Sequence, residues 1–171
     1  MANYDYSQNG MYFVTICTKD REYLLGEILG GKLKETVQSK IVMACWMDLE
    51  NHYSNCILDE FVIMPNYIHG IIGLFNPVET GFVETGLRPV STITTEITKQ
   101  HSLSEIIRAF KSFSARRINE LQSTPGFSFW QFRFYDRIIR NEKELNRIRE
   151  YIYKNPANWE KDKNNLENLD V

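Results

Sequence analysis

The sequence lacks three features that would place the protein in a specialised class. No stretch approaches the roughly 18 consecutive apolar residues of a transmembrane helix, so we expect no membrane partner. The first ten residues, MANYDYSQNG, lack the apolar core of a secretory signal peptide. The three cysteines, Cys17, Cys45 and Cys56, lie far apart and form no CxxC pair, which argues against a disulfide framework or a structural zinc site. These absences predict a cytoplasmic protein with reduced thiols.

A strong positive charge is also lacking. The formal net charge is -2, which counts mildly against a nucleic-acid partner because domains that bind nucleic acid are often basic. Basic residues are nevertheless concentrated in two stretches, residues 108–117 and 133–149. A local basic surface therefore stays open, beside the simpler interpretation that these charges belong to solvated helix surfaces.

The spacing of apolar residues predicts a single α+β domain. Runs rich in β-branched and aromatic residues predict strands, and a Pro-Asn turn joins two of them into an antiparallel hairpin. Apolar residues at helical spacing predict the intervening helices. The predicted strands cover residues 11–18, 56–64, 67–75 and 127–140, and the predicted helices run from Thr36 to Tyr53, from Ser102 to about Leu121 and from Asn141 to Asn155. This order, β-α-β-β-α-β with an extra C-terminal helix, is the ferredoxin-like arrangement: an antiparallel sheet with helices on one face.

Two segments stand outside this pattern. Residues 76–100 repeat Val-Glu-Thr-Gly and contain two prolines, so we expect a flexible insertion within a domain that otherwise spans residues 1–171. The end of the chain, EKDKNNLENLDV from Glu160 onward, is polar and is expected to fray. A smaller feature, Gly30-Gly31, predicts the turn of a short hairpin.

Four side chains form a candidate chemical set. Tyr67 and His69 are two residues apart on a predicted strand, so their side chains leave the same face of the sheet. Tyr151 and Asn155 are stacked neighbours at the rim of the last helix. A phenol can attack a phosphodiester and form a phosphotyrosine, but with a pKa of about 10 it needs help, and a divalent cation held by an imidazole and an amide oxygen would give it. Taken singly, each residue is better explained by packing or, for Asn155, by helix termination.

The sequence blocks around these residues resemble those of a known family. MPNYIHGII, FWQFRFYDRIIRNEKEL and YIYKNP, together with the opening YFVTICTKDR, are similar to the motifs of HUH-type single-strand DNA transposases, and above all to the REP-associated tyrosine transposases. The resemblance covers about residues 11–159, without residues 76–100. It implies that the protein recognises a hairpin in single-stranded DNA. It also implies cleavage and rejoining of one strand through a 5'-phosphotyrosine, assisted by Mg²⁺ or Mn²⁺ and without ATP.

The resemblance assigns a role to each member of the set. The family's nucleophile falls on Tyr151, and its amide metal ligand falls on Asn155. The second histidine of its His-x-His metal pair is His69, whereas the first position holds Tyr67. A neutral phenol is a much poorer ligand for a divalent ion than an imidazole, so we expect a weakened or inactive cleavage site on an intact hairpin-binding fold. Three interpretations are open: DNA binding without cleavage, cleavage with water or substrate phosphate in the missing ligand position, or ligation by an ionised Tyr67.

DNA contacts are expected from basic and aromatic residues outside this set. The candidates are Arg108, Lys111 and Arg117 on the exposed side of the second helix, Arg133 and Arg137 beside the extended segment, and Trp130 as a platform for unpaired bases, with core packing as the alternative for the aromatic side chains. The rival hypotheses are a non-catalytic nucleic-acid-binding protein on the same scaffold and a small-molecule-binding module. Relatives occur as two-chain assemblies that trade helices and as single chains, so a homodimer is also left open.

Overall fold

The computed structural model describes residues 9–75 and 100–168. The predicted flexible insertion lies outside the described residues, apart from Gln100. Six strands are present in the described part: β1 (Gly10–Cys17), β2 (Gly26–Leu29), β3 (Lys32–Glu35), β4 (Cys56–Met64), β5 (Tyr67–Leu74) and β6 (Tyr135–Ile139). Four of them form an antiparallel sheet in the order β4-β5-β1-β6, while β2 and β3 form the short hairpin predicted at Gly30-Gly31. The predicted ferredoxin-like fold class is therefore confirmed.

Four α-helices accompany the strands in the described part of the chain: α1 (Val37–Met47), α2 (Leu49–His52), α3 (Leu103–Gln122) and α4 (Glu142–Lys154). A side chain caps the N-terminus of each of the three long helices and satisfies backbone amides that have no partner within the helix. Thr36 and Ser102 form capping boxes, and Asn141 accepts a hydrogen bond from the first turn of α4. The helix predicted over residues 36–53 is divided at Asp48 into α1 and the single turn α2.

Helices α1 and α3 cover one side of the sheet, which we call the helical face. Its core is apolar and closed, with Trp46 at the centre. The Trp46 ring stacks on Phe61 at 4.6 Å between ring centroids and meets Phe110 edge-on at 5.4 Å. Gly70 lies beneath the indole, where a Cβ atom would stand 2.3 Å from a ring carbon of Trp46. Only glycine fits at that position of β5, because the two groups approach so closely.

The extra helix α4 covers the opposite side of the sheet, which we call the site face. Ile148 and Ile152 of α4 are buried against the strands in the same apolar cluster as Ile71, so the stripe predicted from the sequence is the one that packs. Arg149 adds an ion pair to β4, with its Nε 2.8 Å from Oδ1 of Asp59 and its Nη2 2.5 Å from Oδ2. Packing and ion pair together fix the position of the helix that carries the candidate nucleophile.

Two expectations from the sequence are wrong. The described part of the chain end does not fray: residues 156–161 form a 3-10 helix, and Asn164 and Asn165 are buried because their side chains and backbone are hydrogen-bonded to the rest of the fold. We call residues 156–168 the C-terminal segment. The extended segment predicted over residues 127–140 becomes a strand only from Tyr135, because Trp130 turns into the core and donates its indole N–H to Ser114 at 2.9 Å.

Cys17, Cys45 and Cys56 are buried free thiols. None of the helices in residues 9–75 and 100–168 combines the length and the apolar character that crossing a bilayer requires.

Candidate active site

His69 lies on β5 with its side chain on the site face. In the register of the sheet it stands opposite Thr15, and its Nδ1 lies 2.8 Å from Thr15 Oγ1. Burial lowers the pKa of His69 to about 4, so the ring is neutral near pH 7 and one nitrogen keeps a lone pair. When Nδ1 carries the proton and shares it with Thr15, the Nε2 lone pair is available to accept a proton or to bind a cation.

Tyr151 of α4 faces this nitrogen. Its hydroxyl oxygen lies 3.4 Å from His69 Nε2, and its ring meets Phe13 edge-on. The side chain is 43% exposed, so a substrate can reach the hydroxyl from solvent. Burial, and then the charge of Asp162, raise the pKa of the Tyr151 phenol, while a hydrogen bond with Asn155 opposes the rise. A neutral phenol in this position needs a base or a cation before it can act as a nucleophile.

Tyr67 shares the site face with His69 but is fully buried. Its hydroxyl oxygen lies 2.5 Å from Oδ1 of Asn155 and 2.6 Å from Oδ2 of Asp162. Burial, and then the hydrogen bond and charge of Asp162, raise the pKa of the Tyr67 phenol well above its ordinary value. Of the three interpretations of Tyr67, the structure therefore disfavours ligation by its ionised form.

Asp162 is a residue of this site that no sequence motif indicated. It follows the 3-10 helix of the C-terminal segment, and besides its contact with Tyr67 it accepts a hydrogen bond from the backbone amide of Asn164 at 2.7 Å. The number of residues that separates it from the motif residues matches no recognisable pattern. The available signal was the run of asparagines that follows it, since such short amide side chains often satisfy the backbone in irregular segments.

A cavity of about 1140 Å³ opens above these residues, and we call it the site cavity. His69, Tyr151, Asn155 and Asp162 line it, whereas Tyr67 lies behind Asn155 and Asp162. Its basic lining outnumbers the acidic: Arg21, Arg137, Arg147, Lys161 and Lys163, against Asp136 and Asp162. This excess of positive charge suits a phosphate backbone although the protein as a whole is slightly acidic. Tyr135, a further phenol, is also in the lining, while Tyr153 is not among these residues.

Two of the residues predicted to contact DNA are placed differently from the expectation. Lys111 is not on the exposed side of α3: its Nζ donates to the backbone carbonyls of Gln131 at 2.6 Å and Phe132 at 2.8 Å. Trp130 is buried in the core and cannot act as a platform for bases in this position, so the core alternative holds for it. Phe132, its neighbour in sequence, is 96% exposed instead.

The remaining predicted DNA contacts are exposed but divided between the two sides of the sheet. Arg108 lines a smaller cavity of about 430 Å³ between α3 and residues 127–134, away from the site cavity. Arg117 is also on α3, and Arg133 precedes β6. Arg137 is the predicted contact that does line the site cavity, where it forms an ion pair of 2.5 Å with Glu144.

Two proteins and a solved structure are similar to this chain over most of its length. An uncharacterized protein of Haemophilus influenzae is 34% identical over 165 residues, which are 95% of this chain and 88% of that protein. A second protein of the same organism, provisionally named a REP-associated tyrosine transposase, is 26% identical over 92% of this chain and 77% of its own length. The solved structure of a REP-associated tyrosine transposase bound to a REP hairpin has the same fold, with a TM-score of 0.57 and 21% identity over 92% of this chain and 73% of that one. The resemblance of the sequence blocks to the REP-associated tyrosine transposases is therefore confirmed. No family model matches it.

The REP-associated tyrosine transposase motif implies a divalent cation, and the donors facing the site cavity fit a weakly held one. His69 offers a nitrogen, Asn155 an amide oxygen, and a carboxylate stands beside them. Mg²⁺ is usually held by one or two carboxylates together with water and substrate phosphates. In the part of the chain that the structure describes, no three His, Cys, Asp or Glu side chains converge on a point, so the amide, water or substrate would have to complete the coordination of a cation held here.

Proposed function

We propose that the protein binds a hairpin in single-stranded DNA and cleaves and rejoins one strand beside it through a 5'-phosphotyrosine formed by Tyr151. The observation that carries this proposal is the position of the Tyr151 hydroxyl, 3.4 Å from Nε2 of a neutral His69, in the lining of a basic cavity. The similarity to a protein named as a REP-associated tyrosine transposase supports it, as does the hairpin that is bound in the solved structure with the same fold. The cleavage reaction belongs to the same proposal as the hairpin binding.

The chemistry follows from the groups in place. The Tyr151 oxygen bonds to phosphorus, the bond from phosphorus to the 3' oxygen breaks, and that oxygen leaves as a hydroxyl after taking up a proton. The phenol proton passes to Nε2 of His69, or to water in the open cavity when Nε2 holds a cation. A bound Mg²⁺ or Mn²⁺, held by His69 and Asn155, would neutralise charge on the scissile phosphate. Rejoining is the reverse attack by a 3' hydroxyl, and it needs no ATP because the phosphotyrosine retains the energy of the bond.

Tyr67 makes cleavage slower than at a site with two histidines. Its neutral hydroxyl occupies the position of the first histidine of the His-x-His pair. It contacts the amide oxygen of Asn155, which is the predicted amide ligand of the metal. The same contact favours a second candidate function, binding of nucleic acid without cleavage on the same scaffold. The two candidates share the hairpin and the basic cavity and differ only in whether a covalent bond forms.

A covalent adduct separates the two candidates. Labelled single strands that carry hairpins of varied sequence are incubated with the protein and Mn²⁺ and resolved on a denaturing gel. We expect the wild-type protein to form an adduct and Tyr151→Phe to lose it. Tyr153→Phe is the matched control, because Tyr153 is an exposed phenol on the same helix, and it should keep the adduct. Tyr135→Phe tests the other phenol of the site cavity and should keep it too.

The other possible outcomes of this experiment also discriminate between the candidate functions. Hairpin binding without any adduct would favour the non-catalytic candidate, and an adduct that persists in Tyr151→Phe would assign the nucleophile to another phenol. Binding of the hairpin should weaken steeply with salt, because each neutralised phosphate releases counterions. A flat salt response would remove nucleic acid as the partner of this cavity and leave the small-molecule hypothesis.

The proposal also includes the cellular compartment and the oligomeric state of the protein. We place the protein in the cytoplasm, where buried thiols such as Cys17 stay reduced. A homodimer stays a prediction. His69 and Tyr151 meet within one chain, so the candidate site is formed without a helix from a second copy.

A further inference from the structure

Three oxygen atoms meet behind the site cavity and share a single proton. The Tyr67 hydroxyl oxygen lies 2.5 Å from Oδ1 of Asn155 and 2.6 Å from Oδ2 of Asp162, so these two acceptors are no more than about 5 Å apart. A phenol has one proton and donates it to only one of them. The other acceptor then faces the phenol oxygen with no hydrogen between them, an unfavourable contact in a buried place. A cation relieves such a cluster, since oxygen atoms are the ligands that Mg²⁺ and Mn²⁺ prefer.

The position of Asp162 is built into the fold. The side-chain amide of Asn66, in the Pro-Asn turn that precedes β5, donates to the backbone carbonyl of Asn164 at 2.8 Å. Arg21 donates to the Asn164 side chain at 3.1 Å, and the Asn164 backbone amide donates to Asp162 Oδ1 at 2.7 Å. The C-terminal segment is therefore fixed to the same turn that begins the histidine strand. Carboxylates that bind metals are usually held by hydrogen bonds of this kind.

We propose that Asp162 is an anionic oxygen ligand for the divalent cation of this site and takes the place of the histidine that Tyr67 replaces. The inference rests on the proposed function, because it assigns a residue to the metal site of that function. The ligands are the Asp162 carboxylate, the Asn155 amide oxygen and His69 Nε2, and the Tyr67 hydroxyl supports the first two from behind. This set is richer in oxygen than a pair of histidines and therefore suits Mg²⁺ and Mn²⁺.

Binding of Mn²⁺ alone to the full chain tests the inference without DNA. Isothermal titration calorimetry gives the affinity, and circular dichroism shows that each variant is folded. We expect Asp162→Asn to weaken Mn²⁺ binding by at least about tenfold, since even the outer partners of a metal site contribute that much. Glu160→Gln removes an exposed carboxylate of the same segment and should keep the wild-type affinity. Tyr67→Phe removes only the support and should weaken binding less than Asp162→Asn.

A second variant gives a signal that loss of folding cannot imitate. Asp162→Cys replaces a hard ligand with a soft one, so Cd²⁺ should bind about tenfold more tightly than in the wild-type protein while Mn²⁺ binds more weakly. Both proteins carry Cys17→Ser, because Cys17 lines the site cavity and could bind Cd²⁺ together with the new thiol, whereas the buried thiols Cys45 and Cys56 are present in both and cancel. If Asp162→Asn does not fold, this exchange of metal preference decides the assignment.

The outcomes separate this inference from the function on which it rests. A folded Asp162→Asn with wild-type Mn²⁺ affinity, or a wild-type protein that binds no Mn²⁺, would overturn it. The Asn155 amide would then turn its NH₂ group toward Tyr67, and the cluster would need no cation. Strand cleavage would still stand if the Tyr151 adduct formed. Conversely, Mn²⁺ binding that depends on Asp162 in a protein that forms no adduct would support the metal site and remove the cleavage.

Discussion

The two faces of the sheet differ in character, one apolar and one polar, although β5 contributes side chains to both. On β5, Ile68 and Ile72 turn toward the helical face, where they join an apolar core that α1 and α3 close. Tyr67 and His69 turn toward the site face, where buried polar groups line or support a basic cavity. Alternate residues of one strand therefore contribute to the apolar core and to the site of the proposed chemistry. A substitution can therefore be directed at either property by the choice of face.

The largest expected effect belongs to the helical face. Trp46→Ala removes a fully buried indole that stacks on Phe61, and should lower the free energy of unfolding by about 3–5 kcal/mol. Hairpin affinity, measured at a temperature where the variant is still folded, should stay at the wild-type value. Urea unfolding and a filter-binding titration measure the two quantities. Trp46→Phe is the control: it keeps a ring against Phe61 and removes an indole N–H that has no hydrogen-bond partner among the described residues, so it should cost less.

Weaker hairpin binding by folded Trp46→Ala would break the division between the faces. Ile152→Ala offers the contrasting case, because Ile152 is buried on α4, the helix that carries Tyr151. That substitution should lower both the stability and the yield of adduct. The division would be wrong if the two substitutions affected binding and cleavage equally.

How much the sequence could predict also differs between the faces. The helical face was predictable, because strand alternation and helical spacing report burial against an apolar core directly. The capping box at Ser102 fixed the start of α3 for the same local reason. Trp130 was not predictable in the same way: an alternating aromatic segment has no regular period once its backbone leaves the sheet, and its indole found Ser114 on α3.

On the site face, residue spacing and family resemblance predicted that Tyr151 and Asn155 would meet His69 and Tyr67, and the structure brings them together. The asparagines after Asp162 were too weak a signal to place it, because its position depends on hydrogen bonds between distant parts of the chain, such as Asn66 with Asn164. A polar chain end looks the same in sequence whether it frays or folds back. The net charge was also a poor guide to the site. It counted against a nucleic-acid partner, but it conceals a basic cavity within a slightly acidic protein.

An intermediate effect is expected from pH, and it belongs to the site face. Burial lowers the pKa of His69 to about 4 in the folded protein, against about 6.5 in the unfolded chain. Between these values the unfolded state holds more protons, so stability falls as the pH falls from about 6.5 toward 4. The part due to His69 should be about 2 kcal/mol between about pH 7 and pH 5. Urea unfolding of the wild-type protein and of His69→Gln at both pH values measures it.

His69→Gln should reduce the slope of the free energy of unfolding against pH and should not move the curve along the pH axis. Phe13→Leu is the matched control: it changes the ring that packs on His69 at 4.9 Å without removing a titrating group, so the slope should remain. An equally steep fall in His69→Gln would assign the pH dependence to other groups and would show that the imidazole is not held neutral by the site face.

The smallest expected effect would show which face binds the proposed DNA hairpin. Arg147 lines the site cavity, whereas Arg108 lines the smaller cavity beside α3. Arg147→Ala should weaken hairpin binding roughly threefold to tenfold at low salt, and should reduce the slope of log affinity against log salt by about 1, because one phosphate contact is lost. Arg108→Ala removes the same charge from the helical side and should change the affinity less than about twofold. If Arg108→Ala had the larger effect, the DNA would lie along α3, as the basic stretch in the sequence suggested, and the cavity above Tyr151 would serve another ligand.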